Sequence, residues 1–375
     1  MRFSQIIGHK DIIEKLRELV DNNRMPNTLL FSEQTGCGAL PLALATITYL
    51  FCKERSGGDS CGHCLQCGKT DRLVHPDLHF AFPINTSTIV GKEKRAEIEA
   101  FYPLWRDIAL SNPYFSEQQL YKKFGIENKF GNISVNEANG IIRKLSLSPY
   151  EGGYKVMLIL FAERMNQEAA NKLLKSLEEP AVGTYYFLIS QNPERILPTI
   201  LSRCMIIEVP PIEQTFLQEQ LEKKFSMGSE DAAMWAKYAG GSYGKALELI
   251  ESENSGNEYF NTFVSLLAQS IKKEMIELQS IGETIAGWGK ERQKEFCIRG
   301  LETLRKIYAF KMGVAGIAYS PASEAEKLRK LSAYLNKEIY NKGYEYLSDA
   351  LACIERNVNP KFIFCDLCNR FYCKA

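Results

Sequence analysis

Cys52, Cys61, Cys64 and Cys67 follow one another as C-x8-C-x2-C-x2-C, with Gly57, Gly58 and Gly62 between them. Thiolates spaced as C-x2-C are the usual knuckles of a zinc site, and four of them complete a tetrahedron about 2.3 Å from the ion. Such a site leaves no open coordination position, so its work is structural, adding folding energy to a glycine-rich loop. An iron–sulfur cluster is the other metal reading of four cysteines. Incidental reduced thiols are the metal-free one. His63 lies inside the run, either as a bystander or in place of one sulfur.

A second constellation begins at Ser32. The stretch Ser32-Glu-Gln-Thr-Gly-Cys-Gly38 joins an apolar run ending at Phe31 to a helical pattern starting near Ala39. A phosphate loop of pattern G-x-x-x-x-G-K-[ST] occupies that place between strand and helix. Laid on the pattern, Gly38 takes the second glycine and Gly36 falls within the loop. Glu33 stands for the first glycine, Ala39 for the lysine and Leu40 for the Ser/Thr. The lysine neutralises phosphate charge and the hydroxyl holds Mg²⁺; here both are missing, and a carboxylate at Glu33 opposes a triphosphate. The loop by itself is either a glycine-rich turn without a ligand or a phosphate loop that has decayed. The acidic pair that closes the central strand of such sites is also missing: Leu160 and Phe161 hold those positions, and Glu163 reads as a solvated residue at a helix start.

The elements that position these groups follow from periodicity. Five apolar runs, at 28–31, 78–82, 155–161, 185–190 and 204–209, read as strands, the third near-continuously apolar as in a sheet covered on both faces. Between them, Ala170, Leu173, Leu174 and Leu177 repeat on one helix face, with Asn166 as N-cap and Pro180 as the stop. Strands alternating with helices imply a parallel α/β sheet. After Pro210 and Pro211 strand signals fade. Residues 211–255 read as three helices punctuated by Gly228-Ser229 and Gly240-Gly241-Ser242, and 256–375 as helices near 258–276, 282–312, 323–357 and 359–372. The aromatic-rich segment 84–132 fits neither pattern and reads as an insertion. Cys365, Cys368 and Cys373 have no fourth partner and read as core packing, as do Cys37, Cys204, Cys297 and Cys353.

A chain of 375 residues can bury a large core in two or three domains. Forty-six Lys and Arg stand against 45 Asp and Glu, a net charge of +1, which argues against a nucleic-acid coat with a large positive field. Arg143, Lys144 and Lys155 are basic residues near a helix, readable as a local DNA contact or as a solvated face. No run is long and apolar enough for a signal peptide or a membrane span. The expected location is the cytoplasm, where the 11 cysteines stay reduced.

Several stretches together resemble one family. Asn171-Lys-Leu-Leu-Lys-Ser-Leu-Glu-Glu-Pro180, Leu197-Pro-Thr-Ile-Leu-Ser-Arg-Cys204, Gln5-Ile-Ile-Gly8 with Asn27-Thr-Leu-Leu-Phe31, the four-cysteine spacing, and His75-Pro-Asp77 after it are similar to the AAA+ clamp loaders of bacterial DNA polymerase III. The likeness covers about 1–83 and 133–255. The family's gamma subunits keep Gly-Lys-Thr and Asp-Glu; this chain departs from both, as the family's non-catalytic members do. It departs a third time in Gly241-Ser242-Tyr243-Gly244-Lys245-Ala246-Leu247, where Gly244 stands at the place of a nucleotide-sensing arginine.

The resemblance implies an AAA+ domain over 1–210, a RecA-like parallel sheet with helices and an inserted zinc module at about 52–67. A helical lid over 211–255 and an all-helical collar over 256–375 follow. It implies a non-catalytic subunit that binds structural zinc but not ATP, in an open pentameric ring with gamma/tau ATPase and delta subunits. That ring loads the sliding clamp onto primed DNA, with no membrane involved. Arg203, flanked by Ser202 and Cys204, then becomes an arginine finger for the neighbouring subunit's ATP site; by spacing alone it is an arginine near a helix end. Two other readings compete. An active P-loop ATPase or kinase needs an atypical lysine, Lys53 or Lys69, neither of them on the loop. A stand-alone zinc-dependent DNA binder needs more positive charge than the chain carries.

Overall fold

The computed structural model describes residues 1–87, 89–90, 97–126, 129–151, 153–313, 322–335 and 337–374; the side chains at 252–257, 291, 322–323, 337 and 374 are outside that description. Contacts divide the chain into two compact units, Met1–Leu249 and Ile250–Ala375. From the sequence, breaks are expected near 210 and 255. The helix Tyr243–Lys272 runs unbroken across both 249 and 255, and the helices from 211 to 249 belong with the first unit.

All five expected strands form: β1 (Thr28–Glu33), β2 (Leu78–Ala81), β3 (Lys155–Ile159), β4 (Thr184–Ser190) and β5 (Met205–Val209). They make one sheet in the order β2-β3-β4-β1-β5, with every pairing parallel. Because all strands point one way, every segment that leaves a strand's C-terminal end reaches the same edge of the sheet, where ligand sites of open α/β sheets gather. The expected parallel sheet with helices, followed by a helical second unit, is the architecture observed. β3 is buried along its whole length, which explains its unbroken apolar run. The helix Gln167–Glu178 is capped as expected, the Asn166 side chain accepting the Ala169 N–H at 2.7 Å.

The insertion is part of this core. It forms the helices Ile98–Ser111 and Glu117–Phe124. Ile98, Phe101, Trp105 and Ala109 are buried along one face of the first, at helical spacing. The Trp105 ring lies 4.2 Å from Phe80 of β2 and 5.6 Å from Phe82, and Phe124 of the second helix lies 4.9 Å from Phe101. These aromatic side chains cover β2, an edge strand of the sheet.

In the second unit, two long expected helices are each divided. Gly287, Trp288 and Gly289 separate Met275–Ala286 from Lys290–Lys311, and Ala322–Tyr334 is distinct from Lys337–Glu355. In the final helix, Pro360–Lys374, Phe364, Leu367, Cys368 and Phe371 face inward. Phe362, Cys365 and Cys373 are exposed there, so only Cys368 of that trio packs in the core. Among the described residues no helix is long and apolar enough to cross a membrane.

Candidate functional site

The loop 34–38 leaves the C-terminal end of β1 and enters the buried helix Ala39–Phe51, the arrangement that presents free backbone N–H groups to an anion. Those donors are taken. The Glu33 carboxylate folds back over the loop, and its Oε2 accepts the N–H of Gly38 at 2.7 Å and of Ala39 at 2.9 Å. A side-chain carboxylate thus takes the N–H donors that a loop in this place offers to an anion. Burial raises the Glu33 pKa from its ordinary 4.5 to about 7, against the pull of those N–H groups. Burial and the neighbouring Glu33 also push the Cys37 thiol up to about 12, which keeps it an inert, protonated core group. Ala39 and Leu40, in the lysine and Ser/Thr positions, are buried against the core.

The raised Glu33 pKa fixes a sign. An acid that holds its proton more tightly when folded contributes stability below its unfolded pKa and loses that contribution as pH climbs to the folded value. Wild type should therefore lose stability relative to Glu33→Gln as pH rises from about 4.5 to about 7. The glutamine keeps an acceptor oxygen for Gly38 and Ala39. Denaturant melts at a series of pH values measure this; parallel curves for the two proteins would sink it.

The other positions laid on the phosphate-loop pattern are also among the described residues. Leu160 is buried after β3, and Phe161 is buried at φ 51°, turning the chain into the short helix Ala162–Arg164. Glu163 is not the solvated residue the sequence suggested: it is half-buried and accepts the Gln191 N–H at 3.0 Å. Gly244 packs on the loop, its N–H donating to the Gly36 carbonyl at 3.2 Å, while the Ser242 hydroxyl donates to the Thr35 carbonyl at 2.7 Å. A Cβ on Gly36 would lie 2.8 Å from the Ser242 Oγ, so only glycine fits there without displacing that serine. Of the lysines weighed as substitutes, Lys69 is ion-paired with Glu151 and Lys53 is exposed at the start of the cysteine loop.

Arg203 is elsewhere. It precedes β5, whereas the loop follows β1, and the two strands pair in parallel from Leu29–Met205 to Glu33–Val209. Four residue steps of strand, about 13 Å, separate those ends, so Arg203 does not serve its own chain's loop. Its guanidinium donates to the Thr199 carbonyl at 2.6 Å and the Ser202 hydroxyl at 3.2 Å, and pairs with Glu178 at the end of Gln167–Glu178. About a third of its side chain is exposed (34%).

The four cysteines converge. Their Sγ atoms all lie within 4.8 Å of one another, and Cys61 and Cys67 are 3.9 Å apart, close to the roughly 3.8 Å edge of a tetrahedron with about 2.3 Å arms. The N–H groups of Cys61 and Cys64 each point at a neighbouring sulfur at 3.3 Å, as donors that stabilise thiolate charge. The donor set fits a structural zinc ion. His63 is not one of this set of four: its ring meets the Cys61 carbonyl at 3.0 Å and Glu54 at 3.2 Å, with a ring nitrogen within 4.8 Å of the Cys61 sulfur. The loop is tied down by Asp59, whose carboxylate accepts the N–H groups of Phe3, Ser4 and Ser60 at 3.0, 2.9 and 2.7 Å. His75 stacks on Phe51 at 4.0 Å and meets the Gln66 side chain at 2.6 Å; Asp77 accepts the N–H groups of Tyr150 and Glu151 at 2.6 and 3.0 Å. The His75-Pro-Asp77 motif thereby joins the cysteine module to the loop before β3.

The three basic residues weighed for DNA divide. Lys155 is buried and donates to the carbonyls of Leu145 and Leu147 at the end of the helix Val135–Ser146, an internal cap rather than a contact surface. Lys144 pairs with Glu99 at 2.8 Å, and Arg143 is exposed.

The family model described as "DNA polymerase III, delta subunit" matches residues 8–213, more than half of the chain. DNA polymerase III subunit delta' of Escherichia coli (strain K12) is 28% identical over 242 residues, 64% of this chain and 59% of that protein. The subunit delta' of Bacillus subtilis (strain 168) is 28% identical over 210 residues, 56% of this chain and 50% of that protein. The chain thus spans between half and three fifths of the length of these relatives. A gamma subunit-related protein of Thermotoga maritima aligns over 96% of this chain and 99% of its own at 15% identity, with a TM-score of 0.35. The chain belongs to the DNA polymerase III delta-subunit family, among relatives that are delta' subunits.

Proposed function

We propose that this chain is a non-catalytic clamp-loader subunit. It joins gamma/tau ATPase and delta subunits in a heteropentameric ring and extends Arg203, supported by Ser202, into a neighbour's ATP site. Through the ring it supports loading of the sliding clamp onto primed DNA. The helices of 211–255 take the place of a lid and those of 256–375 that of a collar holding the ring. Cys52, Cys61, Cys64 and Cys67 hold structural zinc.

The observation that carries this reading is the Glu33 carboxylate on the loop's N–H groups, in a site that also lacks the lysine, the hydroxyl, the acidic pair and the lid arginine. Each missing group serves phosphate charge or its metal, so their joint loss removes the chemistry while the sheet is kept. Burial of Ala39 and Leu40 leaves no opening for a substitute side chain at those two positions. Arg203, partly exposed and more than about 13 Å along the strands from its own loop, is placed to serve another chain.

Calorimetry with Mg-ATP on the isolated chain tests the reading. No heat of binding is expected at nucleotide concentrations up to about 1 mM, which corresponds to binding weaker than about 4 kcal/mol. Micromolar affinity, or ATP turnover by the chain alone, would overturn it in favour of an active P-loop enzyme.

A further inference from the structure

The insertion 84–132 has no role in the reading above, yet one of its residues lies in the heart of the vacated site. Between its helices Ile98–Ser111 and Glu117–Phe124 the chain dips toward the phosphate loop and leaves Tyr114 buried there. The Tyr114 hydroxyl accepts the Ile7 N–H at 3.4 Å, and its ring meets Tyr243 edge-on at 4.9 Å. A Cβ built on Gly38 would lie 3.3 Å from the same ring, and one on Gly244 would lie 2.1 Å from the Tyr114 carbonyl oxygen. One tyrosine therefore touches the N-terminal segment, the phosphate loop and the first turn of the helix Tyr243–Lys272.

Its surroundings are fixed in the same way. Ser116, the next helix's N-cap, donates its hydroxyl to Glu248 at 2.8 Å, and Glu117 takes Arg164 at two points, 2.6 and 2.7 Å. The two-point ion pair ties the insertion to the turn after β3, and the Ser116 bond ties it to the helix beyond Gly244. These contacts converge on the sheet edge where a loop of this kind would hold a ligand.

We propose that the insertion is a built-in ligand for the vacated nucleotide pocket. Glu33 takes the place of a phosphate on the loop's N–H groups, and Tyr114 fills the space beside Gly38 into which the rest of a nucleotide would extend. The segment 211–249 is thereby held on the sheet by contacts within the chain instead of by a bound nucleotide. This rests on the reading that the chain carries no ATP, but it is tested separately.

Hydrogen exchange on the full chain, with Tyr114→Ala and Tyr114→Phe, is the experiment. Tyr114→Ala should speed exchange in Gln214–Phe225 and Ser229–Ala239 by at least about tenfold, through loss of a buried aromatic contact, while β1, β3 and β4 keep their protection. Tyr114→Phe keeps the ring and should stay near wild type, because the Ile7 bond is long. Ser116→Ala, a milder cut that removes one hydroxyl, should give about fivefold over the same helices. Unchanged exchange in those helices for Tyr114→Ala and Ser116→Ala would overturn the proposal. Mg-ATP binding by wild type would instead overturn the functional reading, so the two failures are distinguishable.

Discussion

An Arg203→Ala chain, reconstituted with its ATPase neighbours, should assemble normally yet slow ATP-driven clamp loading by about 10³-fold or more, the low end of what an arginine supplied in trans contributes to phosphoryl transfer. The argument is geometric. The guanidinium is steadied by Thr199, Ser202 and Glu178, with part of its surface left open. An exposed ion pair such as the one with Glu178 contributes at most about 1 kcal/mol, so a phosphate in a neighbour's site can displace it. An arginine that merely closed the end of a helix would cost a few tenths of a kcal/mol when removed and leave the neighbours' ATP hydrolysis untouched. Arg203→Lys should rescue little, because a single ammonium does not reproduce the planar fork. Steady-state ATPase and loading assays on the assembled ring, together with a sizing run to confirm assembly, decide the matter. Wild-type rates for Arg203→Ala would remove the finger.

The second large effect concerns the cysteine module. Replacing Cys61 and Cys64 with serine should abolish about one equivalent of zinc per chain by elemental analysis and cost at least about 4 kcal/mol of stability. The module has little core of its own: Cys52 and Cys67 are buried, but Lys53, Glu54 and Leu65 are exposed. Folding of the loop therefore depends on the four sulfurs. The damage should spread to the N-terminus, because Asp59 holds Phe3 and Ser4, and Phe3 packs 5.4 Å from Tyr49. Limited proteolysis should then cut both within 52–67 and before Lys10. A metal-free chain with an unchanged melting temperature and an uncut module would exclude a structural ion.

Much of the architecture was legible because it rests on short-range patterning. Short apolar runs located five strands, and the helix Gln167–Glu178 followed from Asn166, one apolar face and Pro180. The insertion was harder to read because its first helix contains Pro103 and its inward face is aromatic. The spacing of Ile98, Phe101, Trp105 and Ala109 was nonetheless the signal that could have found it. Gly287 and Gly289 flank Trp288, and that pair of glycines could have divided the long second-unit helix. Long-range partners left no local trace. Nothing near Lys155 in sequence says that its ammonium will cap the helix Val135–Ser146, nor does Glu163 announce Gln191. At Glu33 the sign of the charge was legible and its use was not: a residue read as repelling a phosphate also takes the phosphate's donors. Tyr114 gave no signal, because its importance arises where three distant segments meet.

The crowding around Gly244 has an evolutionary consequence. An arginine restored there would bring a Cβ to 2.1 Å from the Tyr114 carbonyl. A lysine restored at Ala39 would start from a fully buried position, and a glycine restored at Glu33 would strip the N–H groups of Gly38 and Ala39 of their acceptor. On the function proposed above, each single step back toward an ATPase would destabilise the fold before any catalytic benefit could arise, so a pocket once packed in this way resists being reopened one residue at a time.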